Sequence, residues 1–136
     1  RFSAVRDTAE RFIGSLREAL AAFRGRAVVL ASVDFAHVGI KYGDEEPPSE
    51  AEIERVREQD RRMIEIIASG DASAFLEHIA SDDDRRRICG FPAIYTMLSV
   101  IDGAKGSLIS YDSTVMDEER STVTFAAMTF GAGPQR

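Results

Sequence analysis

One short apolar run, Ala27-Val28-Val29-Leu30-Ala31, limits the possible folds of this chain more than any other segment. The run is continuous, contains β-branched residues and is too short for a helix, which is typical of a strand buried on both faces. Strands of that kind occur in sheets that are covered by helices. The run therefore predicts an α/β fold with a mixed sheet flanked by helices.

Four segments have the apolar spacing of amphipathic helices. The first covers residues 5–23, and the second begins at a capping box formed by Ser49 and Glu52. A short third helix follows Asp71, and a fourth starts near Pro92, because proline suits a first helical turn. The apolar stripe of the second helix predicts the centre of the core: Ile53, Val56, Met63, Ile64 and Ile67.

The remaining segments predict strands and connections. Two strand-like runs, residues 107–112 and 122–129, are separated by a polar loop too short for a crossover helix, which favours antiparallel pairing. The charge run of residues 82–87 is typical of a solvated connection. We expect His78 to face outward and the tail of residues 131–136 to be frayed.

Composition narrows the class of protein. The chain has 136 residues, with 23 acidic and 17 basic side chains and a formal charge of -6, so its field would repel nucleic acid. The length suits one domain, residues 1–136. No apolar run reaches the roughly 18 residues that cross a bilayer, and no signal peptide is evident, which predicts a cytoplasmic protein without a membrane partner. The absence of an initiator methionine before Arg1 leads us to expect missing upstream sequence.

Asp60 interrupts the apolar stripe of the second helix, so its carboxylate is predicted to point inward. A buried charge needs partners to offset the loss of hydration. The general behaviour of buried polar groups favours hydrogen bonds to nearby backbone amides. The alternative is a supporting role behind a functional site.

Asp34 and His37 lie just past the carboxyl end of the predicted strand, the edge at which open α/β sheets bind ligands. On a loop they could converge on one ion, His37 through a ring nitrogen and Asp34 through an oxygen or by orienting the ring. The spacing by itself favours a structural hydrogen bond over metal ligation. Both interpretations stay open.

Cys89 is the single cysteine, so no internal disulfide can form, which fits a reducing compartment. Gly90 and Pro92 place it just before a helix amino terminus, where the helix dipole favours a thiolate. The alternative is a small buried hydrophobic residue. A set of Cys, His and Asp suits zinc, copper or iron better than magnesium or calcium. Gly90 would let backbone approach a bound group closely.

Five segments in register resemble the carboxyl-terminal half of Memo-like proteins, also called AmmeMemoRadiSam system protein B in prokaryotes. The segments are Ala31 to His37, Asp60 within an acidic helix, Ile88 to Ile94, Tyr111 to Ser113, and Ser121 to Ala127. The fold of that family is similar to LigB-type class III extradiol dioxygenases. The resemblance therefore implies that this chain is a partial LigB/Memo-like domain.

The resemblance also implies a site. Asp34, His37 and Cys89 match residues that line one cavity in the family, and Asp60, Tyr111 and Ser113 are expected to support it. Family members are associated with copper or iron and a proposed redox activity, and with radical-SAM and AMMECR-type partner proteins. The amino-terminal half of the family, which carries further pocket histidines, is absent from this sequence.

Three functional hypotheses follow. The first is a metal-dependent redox or dioxygenase-like protein, with His37 and Cys89 as ligands and Asp34 as a ligand or ring-orienting group. The second is a non-catalytic module that presents the pocket to a peptide or protein, with aromatic contacts from Phe35, Tyr42, Phe91 and Tyr95. The third is a Cys89 nucleophile with His37 as its base. Because part of the sheet is missing, we expect exposed apolar surface and self-association.

Overall fold

The computed structural model describes residues 2–81 and 85–131, with only the backbone described for residues 2–6. Helices and strands are numbered separately in chain order. The helices are α1 (Phe2–Ala22), α2 (Glu50–Ala68), α3 (Ala72–Ser81) and α4 (Phe91–Ile101), and a short 3-10 helix covers Ile40–Tyr42. The strands are β1 (His37–Val38), β2 (Lys105–Val115) and β3 (Thr122–Gly131).

The predicted α/β class is confirmed. The three strands form one sheet in the order β1-β3-β2, and both pairings are antiparallel. The expected antiparallel pairing of the two late strands is correct, with Ser113 opposite Thr124 and a register irregularity between Leu108 and Ser110. β1 was not predicted, because its two residues pair with β3 far along the chain: His37 lies opposite Val123.

Helix α2 forms as its sequence predicts. Ser49 is the N-cap, its hydroxyl accepts a bond from the Glu52 amide, and the Glu52 carboxylate accepts one from the Ser49 amide. The predicted apolar stripe of this helix is buried. It meets α3 and α4 in one core, whose least exposed large side chains are Phe75, Met63, Ile67 and Leu98. The core thus lies between the helices and one face of the sheet.

The prediction of a strand at residues 27–31, buried on both faces, is wrong. The segment forms no strand. Val28 is 92% and Leu30 82% exposed, while Val29 and Ala31, between and after them in the chain, pack against the core. The face of the segment that carries Val29 and Ala31 is therefore covered by the helices and β3. The other face has no neighbour within the described residues, and a run that needs neighbours on both faces cannot form a buried strand.

The described part of the predicted charge run, residues 85–87, is also more than a solvated connection. Asp82 to Asp84 lie outside the described residues, and Arg85 is exposed. Arg86, however, is only 3% exposed and forms an ion pair with Asp60. The tail of residues 132–136 is likewise outside the described part, whereas Gly131 ends β3.

Helix α1 packs against α4 at the edge of the molecule. Ile13 is buried, and the Arg17 guanidinium donates from Nε to the Ser99 carbonyl at 2.9 Å. Among the helices described for residues 2–81 and 85–131, none is long and apolar enough to cross a membrane. The fold positions two loops side by side: the one that enters β1 and the one that enters α4.

Candidate metal centre

Those two loops bring Asp34, His37 and Cys89 together. One ligand atom from each side chain, an oxygen, a nitrogen and a sulfur, lies within 4.8 Å of the other two. Ligands bound at 2.0–2.3 Å around a tetrahedral ion are about 3.3–3.8 Å apart. The three atoms therefore need to close by at most about 1.5 Å to hold one ion. Asp34 and Cys89 are exposed and His37 is half-buried, so an ion could reach them from solvent.

The ring nitrogens of His37 have different environments. Nδ1 lies 3.2 Å from two backbone carbonyl oxygens, those of Phe35 and Arg87. Carbonyl oxygens accept hydrogen bonds and cannot donate them, so the neutral ring carries its proton on Nδ1. Nε2 then keeps its lone pair and lies 4.0 Å from Asp34 Oδ2. Histidine ligands commonly have this arrangement: one ring nitrogen faces the ion, and the other donates to a backbone carbonyl that orients the ring.

Cys89 reaches the site because Gly90 allows a close approach of two backbones. The thiol lies in the turn before α4, with Gly90 as the N-cap and Pro92 in the first turn, as the sequence predicts. A Cβ at Gly90 would lie 2.5 Å from the Asp34 carbonyl oxygen and 2.6 Å from Val33 Cγ2. The glycine was expected to leave room for a bound group. It leaves room instead for the backbone that carries Asp34.

Tyr42 forms one wall of the site. Its ring meets the His37 imidazole edge to face, with centroids 4.9 Å apart and planes at 85°. Burial raises the pKa of the Tyr42 phenol, and the charges of Asp117 and Asp34 raise it further. The 3-10 helix that carries Tyr42 follows Gly39, whose φ of 112° and close contact with Ser121 exclude a larger side chain.

The other aromatic residues considered for partner binding lie elsewhere. Phe35 is buried, and Phe91 packs between Phe75 and Tyr95 with ring centroids 6.0 and 6.1 Å away. Phe91 and Tyr95 are half-buried and pack against the core. Of the four residues that the sequence suggested for peptide contacts, only Tyr42 stacks on a member of the site.

Arg87 holds the backbone of the site in place. Its φ of 49° is unusual for a residue with a side chain, and its guanidinium donates to the His37 carbonyl oxygen at 3.3 Å and to Asp44 Oδ1 at 2.7 Å. The other Asp44 oxygen accepts from the Gly39 amide at 2.6 Å. Burial raises the pKa of Asp44, but the bonds from Arg87 and Gly39 outweigh it and leave that pKa below its ordinary value.

Asp60 points inward, as predicted, but side chains rather than backbone amides satisfy it. Its side chain is fully buried, and it accepts bonds from Arg86, Tyr111 and Thr124 at 2.7, 2.8 and 2.6 Å. Burial raises the pKa of Asp60, and the three hydrogen bonds oppose that rise. Burial raises the pKa of the Tyr111 phenol, and the same carboxylate raises it further.

One other residue differs from expectation. His78 does not face outward: it is half-buried, and its Nε2 lies 3.2 Å from Arg86 Nη2. The hydroxyl of Ser113, which was expected to support the site, accepts a long bond of 3.4 Å from Arg57. The sequence had suggested no role for Arg86, Arg87 or Thr124. Only Thr124 lay within a segment noticed for its resemblance, and the signal for the two arginines was hidden in a run of like charges.

Comparison with known proteins supports one family. A family model described as "Memo-like protein" matches residues 3–129. A curated relative, the MEMO1 family protein of Aquifex aeolicus (strain VF5), is 33% identical over 106 residues. The matched region covers 76% of this chain and 27% of that protein, so the chain spans about a quarter of the relative's length.

Proposed function

This chain belongs to the Memo-like protein family, and we propose that it binds a transition-metal ion through Asp34, His37 and Cys89. The observation that carries the proposal is the convergence of one oxygen, one nitrogen and one sulfur donor within 4.8 Å. A thiolate with an imidazole and a carboxylate suits copper, iron or zinc, whereas magnesium and calcium prefer oxygen ligands throughout.

Each residue of the site has a different role in the proposed binding of the ion. His37 offers Nε2, because two carbonyl oxygens occupy the side of Nδ1. Cys89 offers its sulfur from the turn before α4, where the thiol is exposed. Asp34, whose side chain is 54% exposed, either binds the ion or accepts a bond from a molecule bound to it. Tyr42 covers one side of the imidazole.

Copper or iron at this site would supply redox chemistry to the pocket, and we propose a redox or dioxygenase-like activity for the longer family protein. Ring-cleaving iron sites of the common non-haem type use two histidines and one carboxylate. The group described here has one histidine and a cysteine, so further ligands must come from outside it. We further propose that the longer protein is an AmmeMemoRadiSam system protein B with a LigB-type fold. Its proposed partners are radical-SAM and AMMECR-type proteins.

Metal titration of the chain tests the binding step. Cobalt(II) is a suitable probe, because a cobalt-thiolate bond produces a charge-transfer absorption that reports ligation by Cys89. We expect His37→Ala and Cys89→Ser to weaken binding at least about tenfold. Glu58 is an exposed carboxylate on α2, and the control variant Glu58→Gln should leave the affinity for cobalt(II) unchanged. Equal affinity in the wild type and a double His37→Ala, Cys89→Ala variant would refute the proposal.

A second candidate, a non-catalytic module for peptide or protein binding, is favoured by a different surface. An open cleft of about 470 Å³ lies between the exposed segment of residues 27–31, α4 and β3. Its lining includes Val28, Met97 and Met128. Binding of a partner protein that persists after treatment with a chelator would favour this function over the metal-dependent one.

A further inference from the structure

The carboxylate of Asp60 connects the core to the candidate metal centre. It is 0% exposed and lies on α2, behind the sheet rather than among the three ligands. Three donors reach it, Arg86 Nη1 at Oδ1 and the hydroxyls of Tyr111 and Thr124 at Oδ2. Two of those donors belong to residues that also bind the backbone around His37.

The first connection runs through Thr124. Its hydroxyl donates to Asp60 at 2.6 Å and accepts from the Ala36 amide at 3.0 Å. The Thr124 amide donates to the Ala36 carbonyl at 3.0 Å, and the Thr124 carbonyl accepts from the Phe35 amide at 2.8 Å. The two residues before His37 are therefore fixed to a threonine whose hydroxyl is oriented by Asp60.

The second connection runs through Arg86. Its side chain is only 4% exposed and is held by Asp60, while its carbonyl oxygen accepts from the His37 amide at 2.7 Å. The next carbonyl, that of Arg87, lies 3.2 Å from His37 Nδ1. Since the Arg86 side chain is anchored at Asp60, the backbone of residues 86–87 is anchored with it.

From these contacts we propose that Asp60 is a positioning residue that fixes the ring orientation and the Nδ1-protonated form of His37. The carbonyls of Phe35 and Arg87 both face Nδ1, and each belongs to a segment that Asp60 holds through Thr124 or Arg86. Loss of the carboxylate releases both segments, so Nδ1 loses its two acceptors and Nε2 no longer points steadily at Asp34. This inference deepens the proposed metal-binding function and rests on it for its effect on affinity.

The test compares three variants of the whole chain. Asp60→Asn removes the charge with little change in shape, and Thr124→Val removes the hydroxyl that joins Asp60 to Ala36. Ser49→Ala is the control, because it destabilises the helix that carries Asp60 by removing its N-cap and leaves the donors to the carboxylate and the backbone around His37 in place. Unfolding measurements on all three variants report the structural effect alone.

The specific readout is the nitrogen-15 NMR spectrum of the imidazoles, which separates protonated from unprotonated ring nitrogens. The chain has two histidines, and His37→Ala identifies the signals of His37. We expect Asp60→Asn and Thr124→Val to shift the His37 signals toward a mixture of the two neutral forms and to weaken cobalt(II) binding about tenfold. Ser49→Ala should lower stability while both readouts stay at their wild-type values.

Unchanged His37 signals in Thr124→Val, or an equal shift in Ser49→Ala, would overturn the inference. Because Thr124→Val and Ser49→Ala both keep the Asp60 charge, the comparison remains decisive even if Asp60→Asn does not fold. The NMR readout needs no metal. A wild type with the Nδ1-protonated form but no affinity for cobalt(II) would therefore refute the proposed function and leave the positioning role of Asp60 standing.

Discussion

Replacement of Gly90 by alanine tests how closely the two loops of the site approach each other. Gly90 has φ -71° and ψ -9°, which any residue adopts without strain. At such a position alanine usually stabilises a protein by about 0.4–1 kcal/mol, because it reduces the freedom of the unfolded chain. On backbone conformation alone, Gly90→Ala should therefore be more stable than the wild type.

Packing predicts the opposite. The new methyl group would lie 2.5 Å from the Asp34 carbonyl oxygen and 2.6 Å from a Val33 methyl. Overpacking of this kind costs about 1–3 kcal/mol, and a backbone oxygen cannot rotate away as a flexible side chain can. We therefore expect a net loss of about 1–2 kcal/mol in the free energy of unfolding. The loop that carries Cys89 should also move away from Asp34 and weaken metal binding.

Urea denaturation with linear extrapolation measures this loss. Gly14→Ala is the matched control, because Gly14 lies inside α1 and a Cβ there meets nothing within 4 Å. That control should gain about 0.5–1 kcal/mol, as expected for a glycine in a helix. If Gly90→Ala proved as stable as the wild type while Gly14→Ala showed its expected gain, the close approach of the two loops would be refuted.

Three further predictions concern other parts of the molecule. Ser49→Ala should lower the free energy of unfolding by about 0.5–2 kcal/mol, whereas Glu52→Gln, which can keep the reciprocal capping bond, should lower it less in the same urea titration. The folded-state pKa of Asp44 is below its ordinary 3.8, so its contribution to stability is present above that value and lost as the pH falls through the folded pKa. Asp44→Asn should accordingly lose less stability than the wild type between about pH 5 and pH 2, although the exposure of the side chain keeps this difference small. We also propose that the chain self-associates through Val28 and Leu30: sedimentation velocity should detect a dimer or larger species that Val28→Asp with Leu30→Asp disrupts, and a monomeric wild type would contradict this.

The parts of the fold that sequence analysis predicted depend on local interactions. The capping box of Ser49 and Glu52 needs only four neighbouring residues, and Pro92 marks the start of α4 for the same local reason. The short loop between β2 and β3 left antiparallel pairing as the geometry within reach. Such signals are complete within a few residues.

The predictions that proved wrong concern residues whose burial or pairing depends on neighbours distant in the sequence. An apolar run is buried on both faces only if something covers each face, and Val28 and Leu30 have no cover within the described chain. Arg86 looked like one member of a solvated charge run, yet its partner is Asp60 on another helix. The three candidate ligands lie together in the structure, as the resemblance implied. The parts played by Thr124 and the carbonyls of the Arg86-Arg87 segment were not predicted, because these groups act through contacts between segments far apart in the sequence.

The shortness of β1 has a consequence for local opening of the molecule. This strand joins the sheet through two residues, His37 and Val38, so few ladder bonds must break to detach this corner of the molecule. Regions with few such bonds open more often than the whole protein unfolds. An ion held by Asp34, His37 and Cys89 would tie the corner to the turn before α4. Because the ion binds the closed form, the rate of amide hydrogen exchange at residues 37–39 would fall in proportion to the fraction of molecules that are free of the ion. Exchange at these few amides would thus report metal binding even for an ion that has no colour.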